Sequence, residues 1–158
     1  MPGTHGPIPI EPTNIVGLTV NNNVIEGPST RGITTGNTVN ATFTGNSISD
    51  QSVYAFELNG GERITITGNV ANNCASFARE TGNDVRLSDV VIADNVYNGS
   101  GVTVYESTDV IRLQWARRVR ISGNIFTNWE NVRTCIRVGN SATPNVEDVV
   151  VEGNTFVV

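Results

Sequence analysis

Ile64-Thr-Ile-Thr-Gly-Asn69 is the stretch that decides how this chain folds. Isoleucine alternates with threonine, so one side of the segment is apolar and the other polar, the period of a strand with one buried face. The glycine tolerates positive φ and so permits a sharp bend, and asparagine follows it directly. The same phrase returns as Leu18-Thr-Val-Asn-Asn-Asn23, Ala41-Thr-Phe-Thr-Gly-Asn46, Val90-Val-Ile-Ala-Asp-Asn95, Val119-Arg-Ile-Ser-Gly-Asn124 and Val149-Val-Val-Glu-Gly-Asn154. The anchor asparagines are 23, 23, 26, 29 and 30 residues apart. Repeats of this period signal a solenoid.

Working outward from the phrase, the residue before each anchor is Gly, Asn or Asp, the types that most readily adopt left-handed backbone. Two residues past the anchors stand Ile25, Ile48, Ala71, Tyr97, Phe126 and Phe156, which turn the chain back into a core. Further apolar runs follow at Val53-Tyr-Ala-Phe-Glu-Leu58, Val102-Thr-Val-Tyr105, Val110-Ile-Arg-Leu113 and Ile136-Arg-Val138. Three short strands and three bends fill one repeat and leave no room for a helix. Coils stacked at the strand spacing place successive anchors about 4.8 Å apart, where an inward amide both donates and accepts along the stack.

From Gly17 to Phe156 the repeated strand–Gly–Asn–apolar phrase resembles the right-handed parallel β-helix proteins, the pectin-lyase-like superfamily. The expected fold is all-β: a single-stranded right-handed parallel β-helix of six coils with an asparagine ladder. Left-handed β-helices match less well, because their hexapeptide turns are shorter and more uniform. The 158 residues form one domain. Pro7-Ile-Pro-Ile-Glu-Pro-Thr-Asn14 reads as part of an earlier coil, and the last coil is unfinished. The expectation is therefore a fragment of a longer β-helix, or ends covered by partners, since open parallel edges invite pairing.

Cys74 and Cys135 fall two coils apart, about 10 Å at the strand spacing, and read as buried free thiols rather than a disulfide. No Cys, His and carboxylate cluster has metal-ligand spacing; Asp84, Asp89 and Asp94 have the ordinary spacing of bend residues. No metal and no cofactor is expected. No stretch resembles a signal peptide or a membrane-spanning run.

Candidate chemistry lies in two groups. Glu57, Glu80 and Glu106 each stand 11 residues past their anchors, so ungapped alignment stacks three carboxylates on one edge. Paired carboxylates are the machinery of glycoside hydrolysis, and in the resembling hydrolases and lyases acids on neighbouring strands do this work. The alignment has a rival. The ungapped alignment turns Arg79 inward. A shift of one residue that buries Phe77 instead breaks the stack at Glu80 and leaves the carboxylates as solvated surface groups, some paired with Arg79. The second group is cationic. All ten basic residues are arginine, and six of them fall between residues 112 and 137, where Glu130 is the only acid. Arg112, Arg120 and Arg137, with Trp115 and Trp129 as stacking platforms, are the expected binding residues for an acidic polysaccharide, because guanidinium groups grip carboxylates bidentately.

The residue after the anchor is apolar at Val24, Val70, Val96 and Ile125, an outward stripe of the kind that a covered surface shows. A homotrimer of β-helices, as in phage tailspikes, would cover it. Two functions compete. One is a secreted polysaccharide-binding or polysaccharide-degrading domain, glycoside hydrolase- or lyase-like. The other is a non-catalytic structural or adhesive module, such as a tail-fibre shaft on a virion or cell surface. With a net charge of −5, nucleic acid is not an expected partner, and neither is a membrane.

Overall fold

The computed structural model describes residues 8–81, 86–99, 109–129, 132, 134–139 and 146–157. These form strands and no helix. β1 (Val16–Asn21), β2 (Val24–Ile25), β3 (Arg31–Thr44), β4 (Ser47–Ser49) and β5 (Tyr54–Thr67) come first. β6 (Val70–Cys74), β7 (Ser76–Glu80), β8 (Leu87–Ala93), β9 (Val96–Gly99) and β10 (Asp109–Leu113) follow. β11 (Ala116–Ser122), β12 (Ile125–Thr127), β13 (Thr134–Val138), β14 (Glu147–Glu152) and β15 (Thr155–Val157) complete the series.

All pairing is parallel, and it sorts the strands into three faces of a solenoid. The first face stacks β1, the C-terminal halves of β3 and β5, then β8, β11 and β14. The second stacks β2, β4, β6, β9, β12 and β15, six strands in order along the axis. The third holds the N-terminal halves of β3 and β5, then β7, β10 and β13. β3 and β5 pass round the corner between the third and first faces unbroken, through positive-φ residues at Asn37 and at Gly60 and Gly61. Upstream of β1, Ile10 and Thr13 pair with Ile33 and Gly36, so the first described residues lie on an earlier level of the third face.

The strand phrases lie on the first face, and the bend after each leads into the second. Asn22, Gly45, Gly68, Asp94, Gly123 and Gly153 all have φ between 55° and 66°, the left-handed conformation that their types accommodate. The anchors that follow form a continuous ladder. The Oδ1 atoms of Asn46, Asn69, Asn95, Asn124 and Asn154 each accept both the backbone N–H and the Nδ2–H of the anchor one rung earlier, at 2.9–3.0 Å. Each Nδ2 also donates to a carbonyl of the preceding first-face strand, as Asn69 does to Phe43 at 3.0 Å. The bend would otherwise bury these groups unpaired, and leaving buried polar groups unpaired is costly.

The interior is a column of apolar rungs. Phe43, Phe56 and Phe77 meet edge to face or tilted with centroids 5.9 and 5.4 Å apart, and buried Phe126 stacks at 5.4 Å on Phe156, which is itself exposed on the last described rung. Cys74 and Cys135 are buried in the same column and unbridged. Burial pushes both thiols up to about 12, so they are inert at neutral pH.

Candidate functional site

On the third face the pattern of exposure departs from simple alternation. Ala55 and Phe56, Phe77 and Ala78, and Val110 and Ile111 are all fully buried adjacent pairs. The chain rounds a corner there, and two side chains per strand enter the core. Polar residues flank these pairs in two rows. One row runs through Arg31, Tyr54 and Ser76, with Asp109 and Thr134 continuing it. The other aligns Thr34, Glu57, Arg79, Arg112 and Arg137 on successive rungs.

Three arginines therefore stand one above another, at the strand spacing of about 4.8 Å. Like charges so placed need counter-charges, and Asp109 supplies one to Arg112 and Arg137. Asp109, nearly inaccessible, puts Oδ1 3.4 Å from Arg137 Nε and Oδ2 3.8 Å from Arg112 Nε. Arg79 lies over the Tyr54 ring, 5.2 Å from its centroid, and donates to the Tyr54 hydroxyl at 2.5 Å. Such placement orients the guanidinium. Glu57 closes the row at its N-terminal end. It accepts from Thr34 Oγ1 at 3.2 Å and Thr81 Oγ1 at 2.8 Å, and it faces Arg31 Nε at 2.8 Å. Four arginines thus stand against two carboxylates on the described part of this face.

Residues 8–157 match the family described as the right handed beta helix region. The chain belongs to that family. Neither a curated protein nor a solved structure matches it.

The right-handed β-helix register rearranges the expected sites. Glu57 aligns with Arg79, and Glu80 aligns with Leu58, so the stack of carboxylates breaks at Glu80. The cause is corner length. Asp50 and Asn73 are equivalent left-handed residues joined by a 2.5 Å hydrogen bond. From them to the third face one rung spends Gln51, Ser52 and Val53, and the next only Cys74 and Ala75. Glu80 consequently occupies a buried row with Leu58, 1% exposed, on the opposite side of the sheet from Glu57. Its Oε2 accepts the Trp115 N–H of the next rung at 2.7 Å. Burial pushes its carboxyl up to about 7, against smaller lowering effects from the Trp115 and Gln114 backbone amides. Glu57 and Glu80 do not flank a common space for a scissile bond. Glu106 lies outside the described residues.

The arginine cluster is also redistributed. Arg112 and Arg137 share the third face, but Arg120 is on the outer side of the first face, paired with Glu152 at 2.6 Å. Trp129 packs against the core and meets Phe156 edge-on at 6.5 Å, so it is not a free platform. Trp115 sits at the corner between the third and first faces, next to Arg112 and Gln114 on the same rung. Arg79, Arg31, Tyr54 and Asp109 join the site without having been expected there. The signal for Arg79 was the rival alignment that buries Phe77. Arg31 and Asp109 carry no sign of their role outside the register. Among the described residues, no group of three or more His, Cys, Asp or Glu is arranged to hold a metal ion. Asp89 is engaged by Arg118.

Proposed function

We propose that the third face binds an acidic polysaccharide laid along the solenoid axis, in a protein that acts outside the cell or on a virion surface. The observation that carries this reading is the register row Arg79–Arg112–Arg137, one guanidinium per rung. A polymer with a carboxylate or sulfate on successive sugars meets a matching series of bidentate donors. Trp115, at the edge of that face, offers a ring for stacking. The proposal is binding; hydrolysis by Glu57 and Glu80 as a facing pair is not part of it.

Affinity electrophoresis through gels containing polygalacturonate, alginate or neutral dextran tests it. Retardation by the acidic gels alone is expected, weakening with added salt. The Arg112→Ala/Arg137→Ala double variant should bind about tenfold or more weakly. Equal retardation in dextran, or an unchanged double variant, overturns the proposal. The same glycans, followed for new reducing ends and unsaturated products, test catalysis. Any turnover found should be lost in Glu57→Gln or Glu106→Gln if these residues carry it.

A second reading, a structural or adhesive shaft, is favoured by the outer row of the second face. Val24, Val70, Val96 and Ile125 stand there in register with Ser47, and Val24 is 69% exposed. Sedimentation of a trimer would support it; a monomer at all concentrations would count against it.

A further inference from the structure

A second polar site lies round the corner from the arginine row. A groove of about 170 Å³ opens on the outer side of the first face, where Val39, Glu62, Ser88 and Arg117 align on four successive rungs. Arg86 and Asn37 complete its walls. Its floor depends on Gly61: with φ of +138°, a Cβ there would run into the Thr38 carbonyl. Pockets for drug-sized ligands start at about 300 Å³, so this groove suits a single ring.

Among the described residues, one charge lining it, that of Arg117, has no counter-charge. Glu62 is held by Arg63, and Glu147 lies 3.5 Å from Arg86. Arg117 has no carboxylate within ion-pair distance among the described residues, and its Nε is buried without a hydrogen-bond acceptor there. A buried guanidinium N–H without an acceptor is costly, and a bound carboxylate would relieve that cost. Around it stand groups that recognise hydroxyls: the Ser88 hydroxyl, the Glu62 carboxylate, and the Asn37 amide, whose Nδ2 donates to Asn14 Oδ1 and whose Oδ1 meets no donor among the described residues. Val39 supplies an apolar surface for the face of a ring.

We infer that this corner groove binds one carboxylated sugar ring, its carboxylate on Arg117 and its hydroxyls on Ser88, Glu62 and Asn37. The site shares no residue with the third-face row, so the two stand or fall separately.

Titration with D-glucuronate, D-glucose and acetate, read by saturation-transfer NMR, tests the inference. Glucuronate should bind more tightly than glucose or acetate, because only it satisfies both the guanidinium and the hydroxyl partners. Arg117→Ala and, independently, Ser88→Val should each weaken it, the former about tenfold or more. Arg112→Ala/Arg137→Ala should leave it unchanged. Absence of glucuronate binding overturns the site. So does equal binding of glucose or acetate, or loss of binding in the third-face variant with retention in Arg117→Ala. Circular dichroism on each variant separates lost binding from lost fold.

Discussion

The carboxylate of Glu80 and the backbone amide of Trp115 join adjacent rungs through a 2.7 Å hydrogen bond, with Glu80 set in a row that Leu58 otherwise keeps apolar. A carboxyl so placed favours its neutral form. Its folded value is pushed up to about 7 from an ordinary value of 4.5. Between those limits the folded chain holds a proton that the unfolded chain has released, so stability falls as pH rises through that window. The loss is roughly 1–3 kcal/mol. Thermal melts should show Tm declining from about pH 5 to about pH 8. Glu80→Gln keeps the acceptor for Trp115 and removes the titration, so its Tm should stay level and exceed the parent's at high pH. An identical slope in the variant would refute the assignment.

Asp109 holds Arg112 and Arg137 from beneath, and this restraint competes with any external anion. Asp109→Asn keeps the shape and removes the charge. It should cost roughly 1–3 kcal/mol in urea denaturation, since two partly buried guanidinium groups lose their counter-ion. The same change should tighten binding to an acidic glycan severalfold and steepen its salt dependence. Unchanged or weaker binding would show that Asp109 positions the arginines rather than competing for them.

Much of the fold is legible before any coordinates, because the bend after each first-face strand is chemically demanding. It needs a left-handed residue and then an amide that both donates and accepts, and few residue types meet those needs at positions such as Gly68 and Asn69. The third face lacks such punctuation. Its register is set by how many residues the preceding corner takes, and Gln51–Val53 against Cys74–Ala75 differ by one without a compositional sign. That one residue carried Glu80 from an expected outer ladder into the core and brought Arg79 out. Closeness in sequence misled for Arg120 in a similar way. The corner at Trp115 separates it from Arg112, and the two lie on different faces.

The ladder makes a graded prediction. Asn69 is fully buried and its side chain holds five bonds: Oδ1 accepts from Asn46 N and Nδ2, and Nδ2 donates to Asn95 Oδ1, Phe43 O and Thr67 O. Asn69→Ala leaves several of these groups buried and unpaired, at about 1–3 kcal/mol for each. Asn23, at the start of the ladder, accepts from no earlier anchor among the described residues and is partly exposed. Asn23→Ala should cost about 1 kcal/mol. Chemical denaturation of both variants checks the ratio, and equal losses would mean that the ladder adds little beyond its turns.

Two glycines separate backbone strain from steric contact. Gly68 has φ of +62° and nothing within 4 Å of where a Cβ would stand. Gly68→Ala therefore carries only the cost of a left-handed alanine, about 1–2 kcal/mol. Gly61, at φ +138°, faces the Thr38 carbonyl at close range and the Thr38 nitrogen at 3.1 Å. Both are backbone atoms of the neighbouring strand, and neither moves without parting β3 from β5. Gly61→Ala should thus cost about 3 kcal/mol or more, with strain and overpacking combined. Because Gly61 also floors the corner groove, Gly61→Ala should deform that site while Gly68→Ala leaves it intact. Urea midpoints and glucuronate titrations on the two variants read both effects, and equal destabilisation would remove the Thr38 contact as the cause.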